Sequence, residues 1–210
     1  MRPAVVVMAR APRPGGCNHQ LEPLLGPDGC AKLQAVLVER AVAWAQAVAP
    51  GAVAVACTPP DGCADLAGLT GEAERWPEGD PAAAAARAFA TFGGPVLLAT
   101  TDMPRLRPEH AAAALLDLRE GADVAIGPAH DGGWYLVALR EPHPQLLVHE
   151  TVAELLGAAA EQGLEVGLLR MERDLATPAD AAALRADPLV AREVRAALRP
   201  EGQPRDPTVG

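Results

Sequence analysis

The run Pro95-Val96-Leu97-Leu98-Ala99-Thr100-Thr101-Asp102-Met103-Pro104 limits what this chain can become more than any other stretch. Val96 to Ala99 reads as a buried strand, and Pro104 cuts it off because proline has no N–H to donate to a continuing ladder. Asp102 is thereby left at the carboxyl end of an apolar strand. In open α/β sheets ligands gather at that end, and a carboxylate there, beside hydroxyls, suits Mg²⁺ or Mn²⁺ and phosphate oxygens. The same residue reads equally as a cap or turn ahead of a helix that begins near Pro108.

What surrounds this stretch alternates strand and helix. Ala4 to Ala9 is a β-branched run that gives way to a loop, 10–16, too rich in proline and glycine for regular structure. Asp28 reads as the N-cap of a helix that runs through Leu33, Val36, Leu37, Arg40, Ala41, Trp44 and Val48 at the spacing of one apolar stripe, and Pro50-Gly51 ends it. Ala52 to Cys57 and Glu72 to Trp76 read as strands, with a weak helix over Cys63 to Leu69 between them. Asp80-Pro81 starts the alanine-rich helix Ala82 to Phe92. Beyond Asp102 the pattern predicts a helix over Pro108 to Glu120, then strands over Ala122 to Ile126 and Trp134 to Leu139. The glycine-rich loop between those two strands suggests that the chain turns back, to an antiparallel edge. A helix over Thr151 to Gln162, a last strand over Leu164 to Leu169 and short helices over 178–184 and 189–198 complete the reading. Strand, helix, strand repeated in this way predicts a mostly parallel sheet wrapped by helices.

Half of the 210 residues are hydrophobic, enough for one domain over 1–199 with a flexible tail over 200–210. The formal net charge is −9 and the only lysine is Lys32, which argues against a nucleic-acid or anionic-membrane surface. A few arginines and backbone N–H groups can still hold a nucleotide-sized anion. Cys17, Cys30, Cys57 and Cys63 match no paired metal-binding spacing and read as free buried thiols. No signal peptide or membrane span is evident, so a reduced, cytoplasmic protein is expected.

Three features fall on one edge of the predicted sheet: the arginine-bearing loop after the first strand, Asp102, and Asp174. Two carboxylates and an arginine loop at one edge suit a divalent ion bridging a di- or triphosphate. The successive motifs MARAPRPGG, LEPLLGPDG, TTDMP, IGPAHDGGWYLVAL and ERDLATPADAAAL resemble those of the bacterial MobA-like nucleotidyltransferases and nucleotide-diphospho-sugar transferases, from Val5 to about Leu184. The resemblance implies a Rossmann-like three-layer α/β/α fold with a mostly parallel mixed sheet, the glycosyltransferase-A fold. It implies a nucleotide cradled by the first loop and Mg²⁺ held by Asp102; read with the residues themselves, Ala9, Arg10, Arg13, Gly15, Gly16, His19 and Thr101 are the candidate nucleotide contacts, and Asp102 and Asp174 the candidate ligands of Mg²⁺ or Mn²⁺. Asp102 and Asp131 are the candidate catalytic carboxylates, and Gly132, Gly133 and Trp134 shape the acceptor pocket. The expected partners are a nucleotide or nucleotide-sugar donor and a small-molecule acceptor, with no nucleic acid and no membrane; a homodimer is a possible assembly.

The departures fall at the site. Where relatives carry a lysine-threonine-arginine-leucine run, this chain has Cys17-Asn18-His19-Gln20-Leu21, and where they close on two aspartates it has Asp174-Leu175-Ala176-Thr177. The chain is thus expected to be a metal-dependent glycosyl or nucleotidyl transferase with an altered donor site. The alternative is a catalytically degenerate paralogue that keeps the fold to bind a ligand or partner. A dinucleotide-binding enzyme is disfavoured, because no G-x-G-x-x-G follows the first strand and no acidic residue closes the second.

Overall fold

Successive residues of the first strand point to opposite faces, and that alternation sets the layers of the molecule. In the computed structural model, which describes residues 2–200, β1 (Ala4–Arg10) sends Val5, Val7 and Ala9 to one face and Ala4 and Val6 to the other. The first face is covered by α1 (Glu22–Val48) and α3 (Pro108–Glu120). The second is covered by α2 (Pro81–Phe92) and α4 (Val152–Glu161). The seven strands of the described residues join one sheet. In addition to β1 these are β2 (Val53–Thr58), β3 (Glu74–Trp76), β4 (Val96–Thr100), β5 (Val124–Pro128), β6 (Trp134–Leu139) and β7 (Val166–Leu168), in the order β3-β2-β1-β4-β6-β5-β7. Every neighbouring pair is parallel except those of β6, which runs antiparallel to both β4 and β5. The expected three-layer α/β/α arrangement with a mostly parallel mixed sheet is what the chain forms.

The antiparallel return is real, but it is not at an edge. β6 is inserted between β4 and β5, with Leu98 opposite Val137 and Ile126 opposite Val137 on its other side. Its residues Tyr135 to Leu139 are all fully buried, which explains an apolar run with no polar alternation. β7 closes the far side beside β5 and is shorter than the expected 164–169, at three residues.

Two helix starts follow their local chemistry. The Asp80 carboxylate accepts the Ala83 N–H at 2.7 Å ahead of Pro81, and Thr177 and Asp180 form a reciprocal capping box at the start of α5 (Pro178–Ala186). Asp28 is not an N-cap. The helical register breaks instead at Gly26, whose φ of 67° suits glycine, and Pro27 takes up the new helix, so Asp28 lies within its first turn. The weak helix expected over 63–69 is also absent; only a short 3₁₀ turn over Pro60–Cys63 follows β2. A third core cluster forms where Leu25, Leu33 and Leu37 of α1 meet Ala181 and Leu184 of α5 and Val194 of α6 (Arg192–Ala197). Among the described residues no helix is long and apolar enough to cross a membrane. Of the expected tail only Pro200 is described, and the rest of that expectation lies outside the described residues.

Asp123 fastens the last three strands together. Its carboxylate accepts the Glu165 N–H at 2.9 Å and pairs with the Arg140 guanidinium, while its own N–H donates to the Glu165 carbonyl at 2.8 Å. The Glu165 N–H, followed by Arg140, holds this carboxyl below the ordinary carboxylate range. A group held low in the fold adds stability above its unfolded value and loses it as pH falls through the folded value. Asp123→Ala should therefore cost about 2 kcal/mol at neutral pH. Urea unfolding of parent and variant should show that gap shrinking as pH drops below about 4.

Candidate active site

The carboxyl ends of β1, β2 and β4 leave a cavity of about 280 Å³. Met8, Ala9 and Arg10 come from β1, Thr58 from β2, Thr100 from β4, and Thr101 and Asp102 from the turn that follows it. Trp134 at the start of β6 and Pro81 at the start of α2 close two sides. Gly79 completes the floor. A Cβ on it would lie 2.3 Å from Thr58 Oγ1 and 3.1 Å from the Cys57 carbonyl, so only glycine allows this segment to lie against β2.

A buried amide holds the first loop against the end of β4. Gln34 of α1 is 3% exposed; its Nε2 donates to the Arg10 carbonyl at 3.0 Å and to Thr101 Oγ1 at 3.2 Å. Its Oε1 accepts from Asn18 Nδ2 at 3.1 Å, and Asn18 itself takes the left-handed conformation, φ 51°, that asparagine tolerates better than most residues. Asn18, Gln34 and Thr101 thereby lock together the loop, α1 and β4. Gln34 and Asn18 were not among the sequence candidates. The available signal was a glutamine between Leu33 and Leu37 on the apolar stripe, where a polar side chain must find partners.

Carboxylates converge on the same opening. Thr100 Oγ1 donates to Asp102 Oδ1 at 2.5 Å, and the Asp102 carbonyl accepts the Leu175 N–H at 2.8 Å. That single main-chain bond draws Asp174 in beside Asp102, and the Asp131 N–H donates to Asp174 Oδ1 at 3.3 Å. Asp102 is solvent-exposed at the cavity, yet desolvation by the surrounding protein raises its carboxyl, with the charges of Asp174 and Asp131 adding to the rise and the Thr100 hydroxyl opposing it. Burial likewise raises Asp174, which is 4% exposed, and Asp131 adds to it. Among the described residues no three His, Cys, Asp or Glu side chains form a ready-made metal cage. A pair of carboxylates suits Mg²⁺ where a polyphosphate supplies further oxygens, because Mg²⁺ keeps few protein ligands.

The loop that carries Asp131 is pinned from behind by Glu172. The Glu172 main chain donates to the Pro128 carbonyl at 3.0 Å and accepts the His130 N–H at 3.1 Å. Its side chain, 3% exposed, lies beside Arg170, His110 Nε2 at 3.4 Å and Arg105 at 3.6 Å. Within the loop, Asp131 Oδ1 accepts the Gly133 N–H at 2.8 Å, and Gly132 adopts φ 93°. Glutamate at 172, inside the ERD run, gave no sequence signal that it would be buried.

The first loop is placed differently from expectation. Ala9, Arg10, Thr101, Asp102 and Trp134 line the cavity, whereas Arg13, Gly15, Gly16 and His19 stand outside its wall. Arg13 reaches Asp61 at 2.7 Å and Asp65 at 2.5 Å, so its charge is met by the loop after β2; His19 pairs with Glu22. Gly132, Gly133, Asp131 and Asp174 sit beside the cavity rather than in its wall. Nor are all four cysteines free. The 3₁₀ turn over Pro60–Cys63 folds Cys63 back onto the end of β2, with a Cα–Cα distance of 5.5 Å, and Cys57 and Cys63 form a disulfide. Cys17 and Cys30 are free and buried, and burial pushes the Cys17 thiol up to about 11, so it is neutral at physiological pH.

Known proteins share this architecture. A structure described as a nucleotide-diphospho-sugar transferase from Desulfovibrio desulfuricans G20 superposes with a TM-score of 0.74 at 24% identity, over 94% of this chain and 97% of that one. CMP:2-keto-3-deoxy-manno-octonic acid synthetase, solved with CTP, gives 0.55 at 17% identity over 89% and 98%. The Rv0371C protein of Mycobacterium tuberculosis H37Rv, solved with manganese, gives 0.52 at 16% identity over 87% and 97%. No curated protein matches the chain in sequence. At these identities the likeness establishes a shared fold. Residues 38–152 match one family in sequence, and the chain belongs to that family, described as "Uncharacterized protein conserved in bacteria (DUF2064)", on the fold of the nucleotide-diphospho-sugar transferases.

Proposed function

We propose that this protein is a metal-dependent transferase that seats a nucleotide donor in the cavity at the ends of β1, β2 and β4 and transfers a glycosyl or nucleotidyl group to a small molecule. The observation that carries this reading is the Asp102 carboxylate in the wall of that cavity, with Asp174 brought beside it by the Leu175 N–H bond to the Asp102 carbonyl. Asp102 and Asp174 would hold Mg²⁺ or Mn²⁺, which when bound supplies charge neutralisation for phosphate oxygens. The relatives solved with CTP and with manganese support the choice of ligands. Trp134 offers an aromatic wall and Arg10 a guanidinium that makes no ion pair among the described residues. Asp131, beside Asp102, is the candidate base toward the acceptor, and Gly132 and Gly133 leave room for it.

Within this class, glycosyl transfer fits the charges better. Arg13 is engaged by Asp61 and Asp65, and the segment where the family resemblance implies cations presents a neutral Cys17 and an exposed His19. Among the described residues Arg10 is therefore the one cationic side chain in the cavity wall. Loss of one preorganised contact to developing charge costs roughly 3 kcal/mol, which weighs most on a departing pyrophosphate and less on a diphosphate whose charge the metal shares. The same deficit is the feature that supports the second reading, a paralogue that binds without turnover.

Calorimetric titration with a panel of nucleoside triphosphates and nucleotide sugars, with Mg²⁺ or Mn²⁺, tests the proposal. Binding of one class should require the metal and weaken at least tenfold in both Asp102→Asn and Asp174→Asn, about 1.4 kcal/mol or more. No binding by the parent to any member of the panel would remove the donor site. Binding followed by no transfer to any acceptor would select the second reading.

Two further outcomes follow from the wall itself. Gln34→Leu should cost about 2 kcal/mol in thermal unfolding, because it strands the Arg10 carbonyl, the Thr101 hydroxyl and the Asn18 amide. It should also weaken donor binding beyond that of an equally destabilised core variant such as Leu184→Ala. Gly79→Ala should abolish donor binding while Gly68→Ala, at a position with open space, leaves it intact.

A further inference from the structure

A second, larger cavity, of about 480 Å³, opens on the other side of the 101–104 turn, between α1, the segment 101–108 and α6. Its floor is apolar: Leu37, Trp44, Met103 and Leu106 are each at most 9% exposed. Among the described residues its lining carries one cation, Arg40, beside the carboxylate of Glu39, and the Arg40 guanidinium meets the Glu193 carboxylate of α6 at 2.5 Å. Both partners are substantially exposed, at 35% and 53%, and an ion pair that open to water is weakly held and readily exchanged for another anion. The wall also contains an unmet donor, since the Trp44 indole N–H is buried with no hydrogen-bond partner among the described residues. A volume in the range of small-molecule sites, an apolar floor and one exchangeable cation describe a particular ligand chemistry.

We propose that this cavity binds a small molecule with an apolar body and one carboxylate, the body lying on the Leu37–Trp44–Met103–Leu106 floor and the carboxylate replacing that of Glu193 on Arg40. Glu193 is then a built-in competitor: α6 closes the site with its own carboxylate when the ligand is absent. This site is separate from the donor cavity, sharing only Thr101 with it, and does not depend on the transfer reading.

The two halves of the ion pair make opposite demands on the site, and that difference tests it. Dansylglycine, an aromatic carboxylate that brightens on apolar enclosure, serves as the probe for the full-length chain. Saturable emission should appear with the parent, weaken about tenfold in Arg40→Gln, and strengthen about threefold in Glu193→Gln. Ala43→Trp, an exposed position on the cavity wall, should abolish it, and Arg40→Lys should restore part of what Arg40→Gln loses. A bridge that only holds α6 in place would make Arg40→Gln and Glu193→Gln change binding in the same direction, and that result overturns the proposal. So does the absence of saturable binding in both the parent and Glu193→Gln, or binding that Trp134→Ala removes and Arg40→Gln does not.

Discussion

The geometry of the candidate site depends on one buried carboxylate. Glu172 has almost no contact with water, and a charge in that position is tolerable only while cations and donors surround it. Arg170, Arg105 and His110 do so, from the segment before it, the turn after β4 and the start of α3. Because Arg105 and His110 lie in one stretch of chain and Glu172 lies 62 residues beyond His110, the charge fixes the relative positions of those two segments. The Glu172 main chain then carries the loop with His130 and Asp131, and three residues on the Leu175 N–H reaches the Asp102 carbonyl, while Asp174 accepts the Asp131 N–H. Removing one partner of such a group typically costs several kcal/mol, since the remaining charge is left buried.

The first half of the sheet was legible because its signals are local. Uninterrupted apolar runs in β1, β2 and β4 and proline at the first turn of α2 each act within a few residues of themselves, and the structure follows them closely. β6 was legible as a strand and as a reversal, yet its place between β4 and β5 was not. Both an edge and an insertion satisfy a glycine-rich connection; only the burial of Tyr135 to Leu139 on both faces separates them. The Gly26 break in α1 was misread for a related reason, since Asp28 offers a good cap and the competing signal was a positive φ that no residue type reveals on its own.

Site residues divide along the same line. Asp102 and Trp134 announce themselves by standing at strand ends, and Arg10 by following one. Arg13 carried the same kind of signal as Arg10, and its capture by Asp61 and Asp65 depends on how the loop after β2 folds over the first loop. That fold rests in turn on the Cys57–Cys63 link, which a six-residue spacing through two prolines and a glycine concealed. Gln34 and Glu172 were missed because a polar residue inside an apolar or charged run does not state whether it is buried; its partners lie far off in sequence, at Thr101 and at His110 and Arg105.

The insertion of β6 and the central place of β1 bear on where this protein can be divided. The segment that carries the family match, 38–152, excludes β1, which lies between β2 and β4 and pairs with both. It also excludes the start of α1, β7 and Asp174. Cut out by itself, that segment would hold β2 and β4 with no strand to join them, and Asp102 with no Leu175 N–H opposite its carbonyl. The boundaries of recognisable sequence kinship are therefore not those of an independently folding unit, and any shortened form of the chain has to keep both of its flanks.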